Sequence, residues 1–165
     1  MDLRFVPLPA PLPDVASLPD GAVRRVVADQ PFSFPCRRCL RDAEPGEPLL
    51  LLAYDPFLGA SPYRQPGPIF VHQAGCAPDT DDLASTEAHP APDQLRRRRL
   101  SVRSFDAEHL LVGAELTDGD AVAEVARRLL ADSRVTYLHV HNAAPGCFAV
   151  RVERAQTPGR ASSRT

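Results

Sequence analysis

The sequence predicts an α+β domain: a mainly antiparallel sheet with one amphipathic helix on its apolar face, behind a Pro-rich, loop-heavy N-terminal half. Three observations carry this. The chain has 165 residues, 44% hydrophobic and 24% charged, which suits one globular domain with a real core. Sixteen of its 18 prolines lie between Pro7 and Pro92, so the first half reads as short strands joined by stiff loops. Beyond Leu95, period-2 alternation flanks a single stretch of helical spacing.

The elements follow in order. Residues 1–21 read as an extended Pro-rich lead-in, polyproline-like from Pro7 to Pro19. Residues 22–154 form the single domain, and residues 155–165 a disordered tail. Ala22 to Ala28 is a strand, Cys36 to Asp42 a turn, Leu49 to Tyr54 a buried strand and Pro68 to His72 a short one. Gln73 to Asp93 is a long polar loop. Arg99 to Phe105 and Glu108 to Leu116 are strands around Asp106-Ala107. Asp118-Gly119-Asp120 offers an N-cap to a helix from Asp120 to Asp132, with Val122, Val125, Ala126 and Leu129 on one face and a Glu124–Arg128 pair on the other. Val135 to His141 and Cys147 to Glu153 make the last hairpin.

Composition excludes several chemistries. All 19 cationic side chains are Arg, against 21 Asp and Glu, for a net charge of −2. Without lysine there is no Schiff base, no pyridoxal lysine and no P-loop lysine. Near-neutral charge weighs against nucleic acid as a partner. The longest aliphatic run, Leu49 to Leu52, is far short of the about 18 residues of a membrane span. The first residues lack a basic segment, and Pro7, Pro9, Pro11 and Pro13 break any apolar signal helix, so a cytoplasmic location is expected. There cysteine is more often ligand or reactive thiol than half of a disulfide, although four cysteines also fit two disulfides in an oxidising compartment.

Two Cys/His constellations stand out. Cys36-Arg37-Arg38-Cys39 is a C-x2-C element, and His72 with Cys76 supplies H-x3-C about thirty residues later. Two close pairs of soft ligands beside turns are what tetrahedral Zn2+ requires, and Arg37 and Arg38 can offset thiolate charge. The alternatives are unconnected cysteines and, lowest, a redox C-x2-C, which Pro35 and Pro45-Gly46 disfavour by breaking the strand-to-helix context it needs. The second constellation is the last hairpin. Symmetric closure would put Tyr137, His139, His141, Cys147 and Arg151 on one face, with His141 opposite Cys147 and Tyr137 opposite Arg151. Leu138, Val140, Phe148, Val150 and Val152 would take the other. A thiol beside an imidazole can act as a nucleophile, and Arg103, alternating with Arg99 on a neighbouring strand, suits a carboxylate or phosphate. The plainer reading is a half-exposed sheet face with hydrogen-bonded histidines and a small filler cysteine. Asp79, Asp81, Asp82 and Glu87 lack EF-hand spacing, and His89 and His109 have no evident partner.

Several segments together resemble one bacterial family, catalogued as domain of unknown function 1203. They are Phe34 to Arg37, Asp42 to Glu47, Ser61 to Arg64, Gly67 to Val71, Leu100 to Asp106, and Tyr137 to Asn142 with Gly146-Cys147. The resemblance runs from Arg24 to Ala155 and implies no activity. It implies Cys36, Arg37, Tyr63, Arg64, Arg103, His139, His141, Asn142 and Cys147 as shared candidates, with Cys39, His72 and Cys76 a subgroup feature. Three functions are therefore expected to compete. One is a small protein with a structural zinc. Another is an enzyme or binder of a small anionic ligand, with Cys147 as nucleophile, His141 as its base, His139 beside it, and Arg37, Arg64, Arg103, Tyr63 and Asn142 around the ligand. The third is a protein-interaction module using the Pro-rich loops.

Overall fold

Alternating apolar residues draw the strands together as the sequence predicts, but into two sheets. The computed structural model describes residues 1–8, 21–78, 85 and 90–155. In chain order these form β1 (Leu3–Val6), β2 (Val23–Val27), β3 (Pro48–Tyr54), β4 (Gly67–His72), a one-turn helix α1 (Asp93–Arg96), β5 (Arg99–Phe105), β6 (Leu111–Asp118), α2 (Val122–Leu130), β7 (Tyr137–Asn142) and β8 (Phe148–Arg154). A five-stranded sheet has the order β1-β8-β7-β5-β6 and a three-stranded one the order β2-β3-β4. All their pairings are antiparallel, so the fold is α+β.

The main core lies between the five-stranded sheet and α2. Leu100, Val102, Leu138, Val140, Val150 and Val152 face Val122, Ala126 and Leu130, all at 2% exposure or less. Each large aliphatic side chain buried there is worth about 1.5–3 kcal/mol. Residues 1–21, expected to precede the domain, already belong to it at their start. Leu3 and Phe5 point into this core from β1, which pairs with β8 with Leu3 opposite Arg154 and Val6 opposite Arg151. Residues 9–20 of that lead-in and 156–165 of the expected tail lie outside the described residues, as do Asp79, Asp81, Asp82, Glu87 and His89.

Helix α2 starts differently from the expected Asp capping. A 3-10 turn, Gly119–Ala121, leads into it, and neither Asp118 nor Ala121 makes a side-chain cap. Gly119 is needed for a close approach: a Cβ there would lie 2.0 Å from the Leu95 carbonyl oxygen at the end of α1. Arg128 reaches Glu115 on β6 at 2.7 Å rather than pairing with Glu124. Strand β6 begins at Leu111 because Asp106 Oδ1 accepts the N–H groups of Glu108 and Leu110, at 3.0 and 2.8 Å, and His109 turns left-handed at φ 62°.

The last hairpin departs most from its expected register. Leu138 pairs with Val152, His139 with Arg151 and Val140 with Val150, and then a bulge shifts the ladder so that His141 meets Phe148. Cys147 therefore stands opposite Asn142, whose N–H bonds its carbonyl at 2.9 Å, and Arg151 faces His139 rather than Tyr137. The extra residue also reverses Phe148. Instead of joining Val150 under the helix, its ring packs against His139 and His141, with centroids 5.2 and 5.8 Å apart. That histidine face is not half-exposed. Every residue of β7 is buried, because the smaller sheet and the loop after β3 cover it.

Candidate metal centre and the adjoining cleft

The C-x2-C element closes on itself by backbone bonds. Leu40 N–H donates to Cys36 O at 3.1 Å, and Cys36 N–H to Arg41 O at 2.9 Å. This turn requires Leu40 at φ 56°, an uncommon conformation for a residue with a side chain. Burial of Leu40 in the main core, at 1% exposure, offsets the strain. Two groups hold the turn from outside. Buried Gln94 on α1 donates Nε2 to Cys36 O and Arg41 O, and Arg98 clamps Asp42 through Nη1 at 3.1 Å.

A parallel bridge between Cys36 and Phe70, with Arg37 N–H donating to Phe70 O at 3.0 Å, sets this turn beside the end of β4. His72 closes that strand and Cys76 follows in the loop. The four ligand atoms of Cys36, Cys39, His72 and Cys76 all lie within 4.8 Å of one another, a group able to hold a metal ion. Cys36 Sγ is 3.7 Å from Cys76 Sγ, and Cys39 Sγ is 3.4 Å from His72 Nδ1. Ligand bonds of about 2.3 Å to sulfur and about 2.0 Å to nitrogen would separate tetrahedral partners by about 3.8 and 3.5 Å. The spacing expected from sequence thus becomes a Cys3His cluster.

Its surroundings suit a cation. His72 turns Nε2 to Glu47 Oε2 at 3.1 Å, which leaves Nδ1 facing the cluster, the carboxylate–imidazole arrangement that orients metal-bound histidines. The Glu44 N–H and then His72 hold the Glu47 carboxyl below its usual range. The Cys39 thiol and the backbone N–H groups of Cys39, His72 and Arg38 converge on the Cys36 sulfur and hold its thiol well below the usual range. The shared proton keeps the Cys39 thiol raised, and burial raises Cys76.

The residues expected around the hairpin divide into groups. Cys147 Sγ accepts from Arg37 Nη2 at 3.1 Å and from Asn142 Nδ2 at 3.4 Å. Arg37, 1% exposed, also donates to Phe148 O at 2.7 Å and to Pro35 O, so its guanidinium is consumed inside the protein. His141 instead donates Nδ1–H to Gly146 O at 2.9 Å. Burial holds His141 down to about 4, and burial followed by the positive field of His141, Arg151 and Arg103 holds His139 down to about 3. Both imidazoles are neutral near pH 7. His139 sits among Phe57, Phe105, Tyr137 and Phe148, each 5.0–5.2 Å away, and neither of its nitrogens has a hydrogen-bond partner among the described residues.

Arg103, Tyr63, His141 and Cys147 come together on a cleft of about 310 Å3 between the two sheets. Arg64 lines a neighbouring space of about 510 Å3 but spends its Nε on Asp55 at 2.6 Å. Asn142 and Cys147 open on the other side to a third space of about 540 Å3, walled by Leu51 and Phe70. Sequence reasoning missed Glu47, Gln94 and, in the cleft, Tyr54, Phe57 and Gln65. Glu47 was within reach of the pattern: it precedes β3, and antiparallel pairing sets Leu49 opposite His72. Gln94 carried no signal, because its partners are backbone carbonyls more than fifty residues away.

The family model described as Protein of unknown function (DUF1203) matches residues 33–154. No curated protein and no solved structure matches the chain.

Proposed function

We propose that this chain, which belongs to the family Protein of unknown function (DUF1203), binds one zinc ion through Cys36, Cys39, His72 and Cys76, and that the ion is structural. The carrying observation is the convergence of the four ligand atoms within 4.8 Å, with the Cys36–Cys76 and Cys39–His72 separations matching tetrahedral geometry. Three thiolates and an imidazole favour zinc over magnesium or calcium, which take oxygen ligands. Four protein ligands fill the coordination sphere and leave no position for substrate. Cys36, Cys39 and His72 are buried, as a structural site requires. The ion would tie the C-x2-C turn to the end of β4, where the only strand-like contact among the described residues is one isolated bridge.

No helix among the described residues is long and apolar enough to cross a membrane. Free thiols packed 3.7 Å apart support a reducing bacterial cytoplasm as the location.

Metal analysis of the purified protein tests the proposal. About one zinc per chain is expected, lost in Cys39→Ser and His72→Ala, with cobalt substitution giving the visible bands of a tetrahedral thiolate site. Glu47→Gln should keep the ion but weaken it by about 10–100-fold in chelator competition. A fully folded, metal-free wild type that takes up no added zinc overturns the proposal.

A further inference from the structure

We propose that the cleft between the two sheets binds a small aromatic monocarboxylate, held by Arg103 against walls of Tyr54, Phe57, Tyr63 and Phe148. This site is separate from the metal centre and does not depend on it.

Charge makes the first argument. Neither the cleft nor the neighbouring space that shares Arg103 and His141 is lined by an Asp or Glu. Arg103 projects from β5 into both, half-buried, and among the described residues no ion pair or hydrogen bond engages its guanidinium. The other cations nearby are already committed: Arg64 to Asp55, Arg151 to Glu153, and Arg37 to two carbonyls and a sulfur. A half-buried, unpaired cation beside aromatic walls favours an anion, because it is screened less than in bulk water. One planar guanidinium matches one carboxylate in a two-point fork. A phosphate dianion would bring charge that this cleft cannot balance. His141 does not supply it, since its imidazole is neutral and its one proton is given to Gly146.

Shape makes the second. About 310 Å3 lies at the small end of ligand pockets, so the molecule is metabolite-sized. The flanking rings offer faces and edges to a flat apolar body. Gln65 stands at the rim as a neutral donor and acceptor for a ring substituent.

Benzoate is the probe, titrated into the zinc-loaded full chain and followed by calorimetry. Saturable binding with a dissociation constant at or below about 1 mM is expected. Benzyl alcohol, which lacks the charge, should bind at least tenfold more weakly. Arg103→Gln should weaken benzoate at least tenfold while zinc content and circular dichroism stay unchanged. Tyr63→Ala, at an exposed position where folding is not at stake, should weaken it several-fold. Absence of saturable binding overturns the proposal, as does binding indifferent to Arg103→Gln or displacement of benzoate by equal concentrations of inorganic phosphate. None of those results touches the zinc reading, whose failure would appear in metal content.

Discussion

The two sheets of this protein reach order by different means. The five-stranded sheet has a helix to cover it and a continuous apolar core contributed by β1, β5, β7, β8 and α2. The three-stranded sheet has smaller apolar clusters, and one of them is built around Cys36, Cys39 and Cys76 themselves. Its strand β2 buries none of its five side chains fully. Small units that cannot bury enough apolar surface rely on cross-links or metals. The proposed ion therefore replaces hydrophobic area where proline-rich chain could not supply it.

Metal removal should separate the halves most sharply. With a strong chelator, the amides of Leu50 and Leu52 on β3 should lose hydrogen-exchange protection, while those of Val140 and Val150 keep most of theirs. Equal loss in both halves would mean that the chain unfolds as one unit and that the contrast drawn above is false. Next in size, Leu138→Ala in the main core should cost about 2–5 kcal/mol in denaturant melts and leave the zinc content of the folded fraction unchanged. A cost below 1 kcal/mol would show that the larger sheet does not depend on its packing.

The third effect comes from acid, about 2 kcal/mol per histidine between pH 6.5 and 5. His139 and His141 are held near 3 and 4 when folded, against an ordinary value of 6.5. Below pH 6.5 the unfolded chain gains protons that the folded one refuses. Stability is thus full above that pH and falls towards pH 4, by up to about 1.4 kcal/mol per pH unit for each histidine. Both lie on β7, so the loss belongs to the larger sheet. Denaturant melts at pH 7 and 5 should show a shallower decline in His139→Phe than in the wild type. The comparison isolates the imidazole because both proteins carry the same metal centre. Parallel declines would sink the assignment.

Much of this was legible from residue order. Short apolar runs between turns found β2 to β4, period-2 alternation found β5, β7 and β8, all within a few residues, and ligand spacing found all four members of the cluster. What escaped depends on contacts between distant segments. Strand β1 is four residues long and earns its place only by pairing with β8 about 150 residues later. The bulge at Ala149, just after Phe148, adds one residue to β8, and no local propensity marks it, yet it decides which side chain meets His141. The separation into two sheets follows from where the chain turns, and alternation carries no information about that.

Arg37 joins these parts at a single atom group. It lies between two proposed ligands in sequence, bonds β4 through its backbone, and delivers its guanidinium to Phe148 O at the start of β8 and to Cys147 just before it. The Arg37 Nε proton is sealed from water and bonded to Phe148 O. In a nitrogen-edited magnetic-resonance spectrum it should give one sharp, slowly exchanging guanidinium signal. A chain without lysine, whose spectrum holds no ammonium resonances to confuse it, thus carries a built-in gauge. That one line would move with loss of the ion on one side and with alkylation of Cys147 on the other.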